Sequence, residues 1–246
     1  MSIKTELALV QRYAWHRRQH AAWDRWSNFI YRATILADVQ AQAQRCANEQ
    51  QLDPASFEDY CIARWYNHHT TQVIEGLWAT HGRVRREPNA WHHERDFWID
   101  RQPFDLKTTF PPHHLRGATL RAWLNNPLAA LRWYYTEQSS ARFHAAPRLF
   151  LVLVDEQKGE MRWQNKRQFA ILQQAITIYL DANTACYPAI SFTHNGANHT
   201  APAAELLCVQ FGEPCRVRWW RWGTEESGSE ERGLGSGQAE LVEREL

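Results

Sequence analysis

An unbroken apolar stretch in the second half of the chain restricts the fold more than any other feature. The sequence RLFLVLVDE at 148–156 contains six consecutive apolar residues, 149–154. Side chains alternate across a strand, so a strand of this composition needs apolar cover on both of its faces. The run therefore predicts a central strand of an α/β protein. The helical spacing of EMRWQNKRQFAILQQAITIYLDA at 160–182 predicts an amphipathic helix directly after it.

Helical patterns dominate the first third of the sequence. Apolar residues recur at helical spacing through 4–50, without Gly or Pro, which predicts helix with one break near His20. DPASFEDY starts another helix, with Asp53 as its cap, Pro54 in its first position and Gly82 to close it. Further predicted elements are a hairpin in 92–109, one or two helices in 118–135, strands at 189–192 and 206–211, and an edge strand or short helix at 216–222.

These elements predict an α/β fold with a central mixed β-sheet flanked by helices, preceded by an N-terminal helical region. The expected division is 1–53 for the helical region, 54–223 for the α/β core and 224–246 for a disordered acidic tail. The tail is rich in Gly and Ser and holds seven Glu against two Arg, a charge of −5. Since the whole chain carries +1, the preceding body carries +6, which suits an anionic partner.

The cysteines and the N-terminus indicate a compartment. The five cysteines are scattered without a CxxC pair or zinc-ligand spacing, which favours a reducing environment. The start MSIKTELALVQRYAWHRRQH has no apolar signal-peptide core, and no run approaches the roughly 18 apolar residues of a membrane span. We therefore expect a soluble, cytoplasmic protein without a membrane partner.

The segment HHERDFWIDRQPFDLKTT at 92–109 combines strand formers with several acids. A hairpin that turns at DRQP would place Phe97, Ile99, Phe104 and Leu106 on one buried face. Asp96, Asp105 and Lys107 would share the opposite face. In the expected register Ile99 faces Phe104, Trp98 faces Asp105, and Asp96 faces Lys107, so the two Asp residues become diagonal neighbours. Their carboxylates could then converge on one hard divalent cation, with Lys107 beside it.

This arrangement resembles the active site of the PD-(D/E)XK nuclease superfamily, which has the restriction-endonuclease-like fold. Asp96 matches the acid at the start of that family's hairpin, and Asp105-Leu106-Lys107 matches its (D/E)-x-K tripeptide. Glu75, in the helix before the hairpin, matches a further acid that the family often has. The strand at 148–156 and the helix at 160–182 resemble its continuation. Arg95 stands where the family has Pro, and the spacing of the two Asp residues is short.

The resemblance implies a Mg²⁺-dependent DNA endonuclease of restriction or defence type, with Mn²⁺ able to substitute. Asp96, Asp105 and the carbonyl of Leu106 would hold the metal, and Lys107 would orient the attacking water. Glu75 would be a further catalytic acid. Cleavage would leave 5′-phosphate and 3′-hydroxyl ends. Double-stranded DNA is the expected partner, and homodimerisation stays open.

Several alternatives remain at this level. Acids on a hairpin can form a solvated face, and Asp100 competes with Asp96 because both lie on the same face, although its turn position favours a turn role. A non-cleaving nucleic-acid-binding module on the same fold is the second function, and a helical interaction protein is the third. The pairs His68-His69, His92-His93 and His113-His114 invite a zinc interpretation, but adjacent strand residues point to opposite faces, so each pair offers one ligand at best.

Basic residues form four clusters that could neutralise phosphates, with aromatic neighbours that could stack on bases. The helix after the central strand is the favoured contact, through Arg162, Lys166 and Arg167, together with Arg85 and Arg86 before the hairpin. A solvated helix face is the favoured interpretation of the N-terminal cluster. The remaining members of the four clusters are Arg17, Arg18, Arg25, Arg83, Arg216, Arg218 and Arg221.

Overall fold

Helices come first along the chain and strands dominate after the long helix α4. The computed structural model describes residues 2–14, 21–89, 92, 94–137, 143–183, 186–223 and 239–246. The α-helices of these residues are α1 Ile3–Ala8, α2 Ala21–Trp26, α3 Leu36–Glu49, α4 Pro54–Trp78, α5 Gly117–Leu124, α6 Pro127–Thr136 and α7 Phe169–Ala182. The strands are β1 Val84–Arg86, β2 Phe97–Ile99, β3 Gln102–Thr109, β4 Arg148–Val154, β5 Ile190–His194, β6 Ala197–Ala201, β7 Ala204–Gln210, β8 Arg216–Trp222 and β9 Ala239–Glu245.

The chain divides into two compact units, Met1–Ile74 and Glu75–Leu246. The expected boundary between 53 and 54 falls between α3 and α4, whereas the two units meet within α4. Helix α4 begins as predicted, because the Asp53 carboxylate accepts a hydrogen bond from the Ser56 backbone N–H at 2.8 Å. It ends at Trp78, before Gly82.

The prediction of helix with a single break through 4–50 is wrong. The described residues there form α1, α2 and α3, with a 3₁₀ helix at Asn28–Tyr31 between the last two. The start of α3 explains one of these breaks. The buried carboxylate of Glu6 accepts a hydrogen bond from the Leu36 backbone N–H at 2.9 Å. Since the first N–H groups of a helix lack intrahelical partners, this side chain stabilises a new helix start that apolar spacing does not reveal.

The second unit contains a seven-stranded mixed sheet in the order β1-β2-β3-β4-β7-β8-β9. The β1–β2–β3 and β7–β8–β9 pairs are antiparallel, and the β3–β4 and β4–β7 pairs are parallel. Strand β4 is central, and every residue of Arg148–Val154 is buried. The predicted α/β class with a mixed sheet and flanking helices is therefore confirmed, as is the central position of this strand.

The two faces of the sheet have different cover. Helices α5 and α6 and the hairpin β5–β6 pack on the face that carries Phe150 and Leu206. On the other face, Trp78 stacks on Phe97 with ring centres 5.3 Å apart. Asp105 is paired with Arg148, and Lys107 with Phe150, so these side chains belong to the α5–α6 face.

Three predicted elements need correction. The segment 160–182 is not one helix, because a 3₁₀ helix at Gly159–Arg167 precedes α7. The prediction of a disordered tail over 224–246 is also wrong in part, because Ala239–Glu245 forms β9. Residues 224–238 lie outside the described residues. The three Glu residues of β9 lie opposite Arg residues of β8, and Glu243 and Glu245 form ion pairs there that offset the charges. Strand β8 is consequently not an edge strand.

A buried acid lies on β7, which is separated from the hairpin by β4. Glu205 of β7 is fully buried; it accepts hydrogen bonds from the Tyr179 hydroxyl at 3.1 Å and from the Leu206 backbone N–H at 2.8 Å. Burial raises the pKa of Glu205 from its ordinary value of 4.5 to about 8. The side chain therefore carries a proton in the folded protein at neutral pH.

Glu205→Gln should remove part of the pH dependence of stability. Because the folded-state pKa lies above the unfolded value, the contribution of the proton is fully present below pH 4.5 and lost as pH rises through about 8. Each unit of pKa difference corresponds to about 1.4 kcal/mol. The melting temperature of the variant relative to the parent should therefore rise between pH 5 and pH 9, measured by thermal denaturation across pH. A constant difference over that range would contradict the assignment.

No helix within the described part of the chain is both long enough and apolar enough to cross a bilayer.

Candidate active site

Asp96 immediately precedes β2 and bridges to β3. Its backbone N–H donates to the Phe104 carbonyl at 2.8 Å, and its carboxylate accepts from the Leu106 backbone N–H at 2.7 Å. The carboxyl group also lies close to that of Asp105, the residue before Leu106, so the charge of Asp105 disfavours ionisation of Asp96. Burial, and then the charge of Asp105, raise the pKa of Asp96 to about 6, against the Leu106 N–H and the charge of Lys107.

Asp105 is almost completely buried, at 2% exposure, and is surrounded by basic groups. One carboxylate oxygen is paired with Lys107. The other accepts from Arg148 Nε at 2.9 Å and lies 3.3 Å from His144 Nε2. Burial alone would raise the pKa of Asp105, but the His144 contact and the charges of Lys107 and Arg148 bring it below its ordinary value. Asp105 thus remains ionised, and Asp96 is the member of the pair that binds a proton first as the pH falls.

The hairpin register differs from the expected one by two residues. Phe97 pairs with Phe104 and Ile99 with Gln102, rather than Ile99 with Phe104. The turn is tighter than DRQP because Asp100 adopts a positive φ of 54°, which Asp tolerates better than most residues. The Arg83 guanidinium holds that turn by binding both Asp100 carboxylate oxygens.

The corrected register changes how the acids meet without separating them. Asp96 reaches the backbone of Leu106 instead of facing Lys107, and it lies directly beside Asp105 rather than diagonally from it. Asp100, the competing acid, is committed to Arg83 at the opposite end of β2. Of the two alternatives, the structure brings Asp96 to Asp105 and Lys107 and keeps Asp100 in the turn.

Glu75 lies near the C-terminal end of α4 and belongs to the same electrostatic cluster. Its carboxylate is 3.2 Å from an Arg86 guanidinium nitrogen, and its side chain is 18% exposed. Burial, and then the charge of Asp96, raise the pKa of Glu75 to about 7, although Arg86 and Lys107 act in the opposite direction. The structure therefore brings Asp96, Asp105 and Lys107 together, whereas Glu75 contacts Arg86 and is influenced by Asp96 and Lys107 only through their charges.

The carboxylates fit a Mg²⁺ ion, the cofactor that the family resemblance implies. An ionised carboxylate has about four lone-pair positions, so the three partners of Asp105 leave room for one more ligand contact. In a strand, the N–H and C=O of one residue point to the same edge, so the Leu106 carbonyl points toward the edge where its N–H meets Asp96. Mg²⁺ keeps several waters and needs only one or two carboxylates. A cation between Asp96 and Asp105 would offset the repulsion between their negative charges.

Within the described residues, no group of three or more His, Cys, Asp or Glu side chains is placed to hold a metal ion. The oxygen ligands that would hold Mg²⁺ are instead the carboxylates of Asp96 and Asp105 and the backbone carbonyl of Leu106. Of the histidine pairs, His68 and His69 lie on helix α4 rather than on a strand, and the His69 ring is 2.9 Å from the Ala33 carbonyl. His93 lies outside the described residues.

Two residues of the cluster, Arg148 and His144, are not among the sequence predictions. Arg148 is 3% exposed and contacts His144 Nε2 at 2.8 Å through its second guanidinium nitrogen. A signal for Arg148 exists in the sequence, because it is the charged residue that opens an otherwise apolar strand. A buried arginine needs an acidic partner, and the tripeptide supplies one. His144 precedes the strand and carries no comparable signal.

The predicted nucleic-acid contacts occupy two places. Arg85 lies with its guanidinium 4.0 Å from the centre of the Trp98 ring, and Arg86 is the partner of Glu75. Arg162 and Lys166 both lie against the Phe110 ring beyond the end of β3, at 5.1 and 5.6 Å from its centre. Arg167 lies over the Trp163 ring at 5.4 Å.

In two of the other basic clusters, arginines form ion pairs within the fold. Arg83 binds Asp100 and donates to the Asn183 carbonyl at 2.9 Å, and Arg218 is paired with Glu243 of β9. Arg25 is exposed, whereas Arg17 and Arg18 lie outside the described residues.

Comparison with known proteins adds no relative: no protein-family model, no curated protein and no solved structure matches this chain.

Proposed function

We propose that the protein is a metal-dependent DNA endonuclease of restriction or defence type that hydrolyses phosphodiester bonds. The observation that carries this proposal is the proximity of two acids beside Lys107: the Asp96 carboxylate binds the Leu106 backbone N–H, and the preceding residue, Asp105, is paired with Lys107. Two carboxylates in a poorly solvated place repel each other, so a fold that brings them together without a cation loses stability. A divalent cation offsets that repulsion, and such a site suits a phosphate substrate.

The order of elements supports the same family. Helix α4 carries Glu75, the hairpin β2–β3 carries the aspartates and Lys107, and β4 continues the sheet in parallel with β3. We infer a restriction-endonuclease-like core on this basis, and we infer that double-stranded DNA is the substrate. Arg85, Arg86, Arg162, Lys166 and Arg167 remain the proposed contacts to DNA.

Each residue has a specific task in the proposed reaction. Asp96, Asp105 and the Leu106 carbonyl would hold Mg²⁺, or Mn²⁺ in its place. The metal supplies charge stabilisation and lowers the pKa of a bound water. Lys107 Nζ orients the attacking water and stabilises negative charge as the phosphate becomes five-coordinate. Glu75, with a pKa of about 7, can accept the proton of that water near neutral pH. The products carry 5′-phosphate and 3′-hydroxyl ends.

A second candidate is a nucleic-acid-binding module that does not cleave. The environment of Asp105 favours it, because Lys107, Arg148 and His144 already offset the charge of this carboxylate. The two functions differ in whether Asp105 accepts one more ligand beside these partners. They therefore make opposite predictions for a cleavage assay.

Supercoiled plasmid should be nicked and then linearised by the protein with millimolar Mg²⁺, and EDTA should stop this cleavage. Lys107→Ala should lose the activity while retaining its fold, because the side chain is 43% exposed and makes little contribution to packing. Gel electrophoresis gives the rate, and circular dichroism with a DNA-binding assay controls for folding and affinity. Cleavage at the parental rate by a folded Lys107→Ala protein would remove the lysine from the mechanism. Intact binding without any cleavage by the parent would favour the second candidate.

A further inference from the structure

Two basic side chains, Arg162 and His113, are in contact just beyond the C-terminal end of β3, and the charge of a third acts on both. Arg162 of the 3₁₀ helix donates one hydrogen bond to the Pro111 carbonyl at 3.3 Å. Its second terminal nitrogen lies 2.9 and 3.0 Å from the two ring nitrogens of His113. The third group is Arg116, which directly precedes α5. Arg162 is half-buried, whereas His113 and Arg116 are exposed.

The charges of this group repel one another. Burial, and then the charge of Arg116, lower the pKa of the Arg162 guanidinium. Partial burial, and then the charges of Arg162 and Arg116, lower the pKa of His113. No ion pair joins either arginine to a carboxylate of the described residues. The nearest acids are Glu160, whose charge acts on Arg162 and His113, and Glu156, which accepts a hydrogen bond from the Gly117 backbone N–H next to Arg116 at 2.8 Å. Elsewhere in the second unit, Arg83, Arg148 and Arg218 each have an acidic partner.

A half-buried guanidinium without an ion-pair partner is unfavourable unless an anion offsets its charge. Guanidinium groups match the oxygens of a phosphate group in geometry, and Arg–phosphate hydrogen bonds are charge-assisted. We propose that His113, Arg116 and Arg162 form a phosphate-binding site that takes a backbone phosphate of a nucleic acid. This inference deepens the proposed function, on which it rests for the identity of the phosphate donor.

The position of the site relative to Lys107 fits one continuous nucleic-acid strand. Pro111, whose carbonyl holds Arg162, follows Lys107 by four residues in the chain. Four extended residues span at most roughly 14 Å. A strand of B-form DNA advances about 3.4 Å per nucleotide. This backbone span corresponds to the axial rise of about four nucleotides, so one strand is long enough to reach both Lys107 and this site.

The test measures binding without cleavage. The affinity of the full chain for a short fluorescent DNA duplex is determined by anisotropy in EDTA over a series of KCl concentrations. The variants are Arg162→Ala, Arg116→Ala and the double variant, with Arg121→Ala as the control. Arg121 is an exposed arginine of α5, so its replacement removes the same charge from the same region. A parallel titration with inorganic phosphate, read as a shift in melting temperature, tests for a free anion.

The double variant should bind the duplex about tenfold more weakly than the parent, with a salt dependence reduced by about one ion, while Arg121→Ala stays near the parent. If Arg162→Ala fails to fold, the test rests on Arg116, which is exposed. Arg116→Ala should then lose more duplex affinity than Arg121→Ala. Equal losses in Arg116→Ala and Arg121→Ala would overturn the proposal. The proposal would also be overturned if inorganic phosphate stabilised the parent while the double variant bound the duplex as tightly as the parent. Absence of duplex binding by the parent would overturn it too.

Failure of this site and failure of the proposed nuclease are distinguishable. Weakened binding in the double variant, with a parent that never cleaves in Mg²⁺, would support the phosphate site and reject the endonuclease. Cleavage by the parent, with unchanged duplex affinity in the double variant, would support the endonuclease and reject the phosphate site.

Discussion

Asp96→Asn should reduce Mg²⁺-dependent plasmid cleavage roughly a thousandfold, whereas Asp100→Asn should leave it almost unchanged. The two substitutions are chemically identical and lie four residues apart on one hairpin. Asn at 96 can still accept the hydrogen bond from the Leu106 N–H, so the local backbone is retained while the charge is lost. Asn at 100 loses a partly exposed ion pair with Arg83 but tolerates the positive φ.

Stability gives a second and independent readout of the same pair. The folded-state pKa of Asp96, about 6, lies above the ordinary value of 3.8, so the ionised carboxylate destabilises the fold at neutral pH. Asp96→Asn should therefore raise the melting temperature without metal by a few degrees at pH 7, and this gain should vanish below pH 3.8. It should also abolish stabilisation by Mg²⁺. Asp100→Asn should lower the melting temperature slightly and keep the response to Mg²⁺.

Nicking rates and melting curves with and without millimolar Mg²⁺ decide between the outcomes. An inactive Asp100→Asn beside an active Asp96→Asn would assign the metal to the turn. Full activity in both variants would move the metal site elsewhere and remove the main support for the endonuclease.

In the hairpin, the sequence pattern predicted which side chains are buried but not how the two strands pair. Period-two alternation predicted that Phe97, Ile99, Phe104 and Leu106 would be buried, and all four are. The register was wrong because it depends on the turn, and the turn depends on Asp100 adopting a left-handed conformation held by Arg83. Arg83 is distant in sequence, so no local pattern encodes this contact. Alternation depends on local geometry alone, which explains why the faces were predictable and the pairing was not.

Long-range charge pairing explains the other omissions. The acidic composition of the tail predicted disorder, yet Glu243 pairs with Arg216 and Arg218 when Ala239–Glu245 joins the sheet. The surroundings of Asp105 depend similarly on Arg148, 43 residues later in the chain. Strand composition indicates that β4 is central, but it does not indicate which strand becomes its neighbour. That choice decides which acid the buried arginine meets.

Arg148→Met should destabilise the fold by about 3 kcal/mol. Removing one partner of a buried ion pair leaves the other charge without compensation, at a cost of roughly 3–5 kcal/mol. Arg148 and Asp105 are both nearly inaccessible to water, and the side chain of Met occupies a similar apolar volume. The lower end of the range applies because Lys107 and His144 still contact Asp105. Urea denaturation of parent and variant measures the difference in free energy of unfolding.

Arg216→Met is the matched control, since Arg216 is also a strand arginine paired with acids but in a much more exposed ion pair. Exposed pairs contribute little, so its loss should stay below about 1 kcal/mol. The double variant Asp105→Asn/Arg148→Met should be more stable than the sum of the single losses predicts, because neither uncompensated charge remains. The Arg148 guanidinium also lies 5.7 Å from the centre of the Tyr135 ring. Additive losses would mean that Arg148 contributes by packing against this ring rather than by holding Asp105. In that case the ionised state of Asp105 would depend on Lys107 and His144 alone, and a bound cation would compete directly with Lys107 for it.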